Sequence, residues 1–200
     1  MKALSVAVLS FVTLGLAASA NAAPVLFTAN LSGPAESPPN ASPGTGAALV
    51  TFDLDADTMR VQVNFSGLLG DVTASHIHCC TVLPFIGTAG VATVTPTFTG
   101  FPGGVTSGTY DNTFNMLDPA SYNPAFITGP FDPTQDAAGA KQALYDAMIA
   151  GETYLNIHST VVRGGEIRGF LQRVPEPITL SLFGVGLAGA FAARRRVKRA

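Results

Sequence analysis

Ala47-Ala48-Leu49-Val50-Thr51-Phe52-Asp53-Leu54-Asp55-Ala56-Asp57-Thr58-Met59-Arg60-Val61-Gln62-Val63-Asn64-Phe65 is the stretch from which the fold is read. Val50 and Phe52 alternate with Thr51 and Asp53, and Met59, Val61, Val63 and Phe65 alternate with Arg60, Gln62 and Asn64. A period of two puts apolar side chains on one face of a strand and polar ones on the other. Ala47–Asp53 and Met59–Phe65 therefore read as strands. Leu54-Asp55-Ala56-Asp57 between them is turn chemistry, which makes the two strands antiparallel neighbours.

The same alternation extends in both directions. Val25–Leu31, Val72–His78, Val91–Thr95, Tyr154–Ser159 and Glu166–Gln172 read as further strands. Ser32–Gly46 is rich in Gly, Pro, Ser and Asn and reads as a loop. Asp136–Ala150 carries the one good helical period, with Ala140, Leu144, Ala147 and Met148 on one face and Gly151 as the stop. Thr81–Pro133 is too long to be structureless inside a compact domain. It is expected to supply one or two strands around Val91–Phe98 and a packed excursion with buried aromatic side chains. Short strands, frequent turns and one helix predict an all-β, antiparallel sandwich or barrel.

The ends are of a different kind. Met1–Ala22 has an early cation, Lys2, an apolar segment and small residues up to Ala22. That is the order of a secretory signal peptide, with cleavage expected after Ala22. An uncleaved N-terminal membrane helix is the alternative. At the other end, Pro175-Glu176-Pro177 precedes an apolar run from Ile178 to Ala193 and the basic cluster Arg194–Arg199. As a helix, 16 apolar residues would extend about 24 Å against a hydrocarbon core of about 30 Å. That makes a C-terminal apolar helix suited to transient membrane association, with its basic end held cytoplasmic. Residues 1–22, 23–174 and 175–200 are thus read as leader, β domain and tail. The tail resembles the PEP-CTERM sorting signal of Gram-negative bacteria. The resemblance implies recognition by an exosortase-type transpeptidase, removal of the tail near Pro175–Pro177, and delivery to the cell envelope, the cell surface or an exopolysaccharide matrix.

Between the ends, five cations face twelve carboxylates, a net charge near −7 that the basic tail masks in the whole-chain value of −2. Such a domain is a poor partner for nucleic acid or anionic lipid.

All three histidines lie in expected strands. His76-Ile77-His78 puts two imidazoles on one face. Tyr154, Asn156 and His158 share a face, and Glu166 and Arg168 lie opposite Ile167 and Leu171. If these strands adjoin, His76, His78, His158, Asn156, Glu166 and Arg168 form one polar cluster. Three segments carry a second resemblance: Thr73–His78, Tyr154–Ser159, and Gly165-Glu166-Ile167-Arg168-Gly169. With Leu31, Gly33, Glu36, Pro38 and Pro39, and with Phe65–Leu68, they resemble the signature segments of the CHRD domain, first described in chordin. The resemblance implies an extracellular, immunoglobulin-like β fold and no common activity. Cys79-Cys80 departs from the family pattern, and Thr81–Pro133 looks like an elaboration.

Two chemistries fit the histidines. His-x-His plus a third His is a sensible set for copper or zinc, with an open position for a small ligand. Alternatively the imidazoles form a hydrogen-bonded layer that fixes register, with Glu166 and Arg168 paired across strands. Cys79 and Cys80, the only cysteines, can bond to each other, pair between chains, or join the histidines as soft ligands. No catalytic residue is assigned: the chain has no Gly-x-Ser-x-Gly elbow or phosphate loop. Asp53, Asp55 and Asp57 lack the remaining ligands of a calcium loop and read as a solvated turn. The expected role is a binding or structural component of the envelope or matrix, touching exopolysaccharide or an envelope protein. A metal-binding protein with redox activity is the alternative.

Overall fold

The computed structural model describes residues 23–175. The leader, Glu176 and Pro177, the apolar tail helix and the basic cluster lie outside the described residues. Eight strands form one antiparallel sheet: β1 (Val25–Ser32), β2 (Thr45–Asp53), β3 (Thr58–Ser66), β4 (Val72–His78), β5 (Gly108–Asn115), β6 (Tyr154–Ser159), β7 (Ile167–Phe170) and β8 (Gln172–Arg173). Their order is β4-β6-β7-β1-β2-β3-β5, with β8 also on β1. The all-β, antiparallel class is as expected. The strands curl as one sheet into an open half-barrel.

The corner of that curl has a local cause. β7 pairs with β6 over four residues but meets β1 at a single pair, Ser32 with Arg168. The strand breaks at Leu171, whose N–H turns to Thr153 O, and β8 then pairs with Phe27 and Thr28 of β1. The chain thus changes partners across one residue, as strands do when they turn a corner between layers. The expected single strand over Glu166–Gln172 is therefore two. Gly169 sits at this crossing, and any Cβ there would strike the backbone carbonyl of Asn30.

The opening hairpin is as read: Thr45 pairs with Ser66, and the register runs without a slip to Asp53 and Thr58. Val50, Phe52, Met59 and Val61 are fully buried on its inner face, beside Phe27 of β1. Two helices accompany the sheet, α1 (Pro124–Ile127) and α2 (Ala137–Ala150). Asp136 caps α2 through Gly139 N, and Gly151 ends it at φ +76°, a left-handed C-cap that glycine adopts without penalty. Its expected face, Ala140, Leu144, Ala147 and Met148, is buried. Among the described residues no helix is long and apolar enough to cross a membrane.

The excursion differs from expectation. Its strand is β5, which pairs with β3 from Gly108–Phe65 to Asn115–Thr58. Only Tyr110 and Phe114 are buried along it, and they pack against Phe98. Val91–Thr95 forms isolated bridges rather than a strand. It runs beside β4, where the Thr93 and Thr97 hydroxyls accept from Ile77 N and Ser75 N. Side-chain oxygens thus take the place of a neighbouring strand's carbonyls and protect a sheet edge.

Candidate functional site

β4, β6 and β7 lie side by side, so the three histidine-bearing and arginine-bearing segments adjoin. His76 is opposite Asn156, His78 is opposite Tyr154, and Asn156 is opposite Arg168. His158 pairs with Ala74, which places it diagonally across from His76 on the same face. One ligand nitrogen from each of His76, His78 and His158 lies within 4.8 Å of the others.

The three rings are held in the same way. His76 Nδ1 donates to Pro96 O at 3.1 Å, His78 Nδ1 to Ala89 O at 2.9 Å, and His158 Nδ1 to Arg163 O at 2.9 Å. A carbonyl only accepts, so each Nδ1 carries the proton and each neutral ring presents a bare Nε2 lone pair. His76 Nε2 and His158 Nε2 then face each other at 3.0 Å, and His78 Nε2 is buried with no partner. Two acceptors at that separation repel unless a proton or a cation lies between them. Burial, with the neighbouring imidazoles adding to it, pushes His76 down to about 3. Burial likewise pushes His78 down to about 4 and His158 below its ordinary value. The cluster is therefore neutral at pH 7.

A buried layer backs the rings. Tyr154 stacks on His78 at 4.6 Å, and the Arg168 guanidinium lies 4.7 Å from the Tyr154 centroid. Arg168 donates to Ala35 O and Gly87 O. It sits 3.8 Å from Glu36, whose carboxylate accepts from Asn156 Nδ2 at 2.8 Å. Burial pushes Glu36 up to about 7, against the opposing pull of Arg168. Sequence reasoning placed Glu36 in the family pattern but not in the polar cluster. Its signal was available: it is the one ionisable side chain in the loop Ser32–Gly46. The three anchoring carbonyls carry no sequence signal.

Two expectations change. Glu166 does not join the histidines and does not pair with Arg168. Its carboxylate is fully buried on the far side of the corner and accepts from Ser42 Oγ at 2.6 Å and from Leu69 N and Gly70 N. Burial raises its pKa, but these hydrogen bonds and one from Ser159 outweigh it and hold the carboxyl below its usual range. It pins two loops to β7. Arg168 takes Glu36 instead, because the 3-10 turn at Gly33–Ala35 brings that carboxylate over β7. The cysteines are bonded to each other. Cys79 lies in the apolar core, so neither sulfur is a free thiolate beside the imidazoles.

Comparison with known proteins gives two matches. The CHRD domain matches residues 27–171, which contain the whole histidine cluster and its backing layer. The PEP-CTERM protein-sorting motif matches residues 173–196; it is recognised by exosortase and implies export to the cell envelope or surface. No curated protein and no solved structure matches this chain. The chain therefore belongs to the CHRD domain family, with a PEP-CTERM sorting motif behind the domain.

Proposed function

We propose that this is an exported metal-binding protein whose centre is His76, His78 and His158, with copper as the favoured ion and zinc as its competitor. One observation carries the reading: all three Nδ1 atoms are already donating, so each ring has only its Nε2 lone pair left to offer, and the three rings bring ligand nitrogens within 4.8 Å of one another. A hydrogen-bonded layer accounts for less. A single proton would join His76 to His158 and still leave His78 Nε2 buried and unpaired. Carbonyl-anchored imidazoles are the usual second shell of a metal ligand, fixing tautomer and ring orientation.

The preference for copper rests on ligand chemistry: neutral nitrogen sets bind copper(II) more tightly than zinc. Three protein ligands leave a position open, which suits redox exchange with a small ligand. Titration calorimetry with Cu²⁺ and Zn²⁺ tests the centre. Submicromolar copper binding, lost in His76→Ala, is expected; absence of micromolar binding, or unchanged binding in His76→Ala, would sink it.

A second reading, a matrix-binding component, is favoured by a groove of about 620 Å³ on the outer face of β1, β2, β3 and β5. Ala47 and Leu49 form its floor, and Asn30, Gln62, Asn64 and Thr109 line it. Amides and hydroxyls over an apolar floor, with the Asp111 carboxylate at one side already held by Arg60 and Gln62, suit a neutral exopolysaccharide chain. Retention of the protein on such a polymer, reduced in Asn30→Ala/Asn64→Ala, is expected in affinity electrophoresis. Equal retention of both proteins would rule the groove out.

A further inference from the structure

The Cys79–Cys80 disulfide follows His78 directly, where β4 ends. From there residues 79–91 leave the sheet and come back to it. Thr81 N and Phe85 N tie the segment to Glu152 O and Gly151 O behind α2, and Cys79 N meets Gly90 O at 3.0 Å. On its return the segment supplies two anchors of the site, Ala89 O to His78 Nδ1 and Gly87 O to Arg168 Nη1. The disulfide thus closes a small ring at the root of the wall that orients His78. Neither sulfur is grouped with the ligand nitrogens of the imidazoles. Cys79 is buried in the apolar core, whereas Cys80 is half-buried and lines a groove of about 340 Å³ with Phe131, Ala147, Asp146 and Glu152.

We propose that Cys79–Cys80 is a two-electron redox site, reduced by an external dithiol through this groove, which sets how firmly His78 is held and thereby the metal affinity of the three-imidazole centre. A thiolate of the dithiol attacks Cys80 Sγ, the reachable sulfur. The Cys79–Cys80 bond breaks, and Cys79 leaves as a thiolate that takes up a proton. The second thiol of the reductant then displaces Cys80 as a thiol and leaves the reductant as a disulfide. Two electrons and two protons have moved to the cysteines. With the ring open, residues 79 and 80 move independently, and the wall carrying Ala89 O loosens. Because Cys79 lies in the apolar core and Cys80 lines a groove that no histidine lines, reduction weakens the centre rather than adding a ligand to it.

The consequence for metal rests on the centre proposed above; the hold on His78 is measurable without metal. The experiment titrates Zn²⁺, which thiols do not reduce, into oxidised protein, phosphine-reduced protein and Cys79→Ser/Cys80→Ser. It also records the ¹⁵N ring signals of His78 in the metal-free samples. Reduced protein and the double variant are expected to bind Zn²⁺ at least about tenfold more weakly, with reoxidation restoring the reduced protein and leaving the variant unchanged. Equal affinity in the oxidised protein and the double variant would overturn the proposal. So would His78 ring signals that do not move on reduction of the metal-free protein. If no form binds Zn²⁺ or Cu²⁺, the metal reading fails by itself, and the His78 signals still decide whether the disulfide controls the ring.

Discussion

A histidine whose Nδ1 is already donating has one lone pair left to offer, and here three such rings meet. Their neutrality has a measurable consequence. The three imidazoles sit below their ordinary pKa when folded, His76 near 3 and His78 near 4. The stability they contribute is therefore present above about pH 6.5 and is lost as pH falls through the folded values. Glu36 acts in the opposite sense. Its folded value is raised to about 7 from 4.5, so its contribution is present below 4.5 and fades as pH rises to 7. Three imidazoles outweigh one carboxyl. Metal-free protein is expected to melt at a lower temperature at pH 5 than at pH 7, with a net uptake of protons on unfolding, and His76→Gln should flatten the dependence. A melting temperature unchanged between pH 7 and 5 would contradict neutral, buried rings. Glu166 makes a separate prediction at this scale. Its fully buried carboxylate collects hydrogen bonds from Ser42, Leu69 and Gly70, so Glu166→Ala is expected to cost about 3 kcal/mol in urea unfolding. Metal affinity should change little, since the residue does not touch the centre.

The elements that place these residues show what period and turn chemistry can reveal. Removing the N-cap oxygen of α2 in Asp136→Ala is expected to cost about 1 kcal/mol. Gly169→Val is expected to cost more, because its Cβ collides with the Asn30 carbonyl where β7 crosses β1; denaturant melts check both. The hairpin of β2 and β3, the limits of β4 and β6, and the face and ends of α2 were all legible, because each carries a clean period and a turn or cap. The face shared by His76 and His78 was legible for the same reason. β5 was not: Gly108-Thr109-Tyr110-Asp111-Asn112-Thr113-Phe114-Asn115 has two buried apolar residues in eight, and its pairing is decided by the edge of β3. The break at Leu171 and the exchange of Glu166 for Glu36 as the partner of Arg168 were also hidden. Both arise where separate loops close over a corner, which alternation along one strand does not encode.

Taken whole, the molecule is a half-barrel with two differently built faces. One leaf, β4, β6 and β7, carries a polar layer sealed by loops from residues 33–40 and 85–97. The other, β1, β2, β3 and β5, turns its apolar side into the core that the buried face of α2 also joins and leaves its amide-lined side open. The sorting motif at residues 173–196 implies export to the cell envelope or surface, and residues 23–174 carry a net charge near −7, which disfavours binding to anionic polymers. If residues 23–174 are one cooperative unit, calorimetric and van't Hoff enthalpies of unfolding should agree. Two separate transitions would show the excursion folding on its own. The most direct test of the metal centre is electron paramagnetic resonance of the copper(II)-loaded protein purified from the envelope fraction. Hyperfine splitting from three equivalent-class imidazole nitrogens, reduced to two in His158→Ala, is the predicted result. A spectrum of loosely bound copper, identical in the wild-type protein and the variant, would contradict the account.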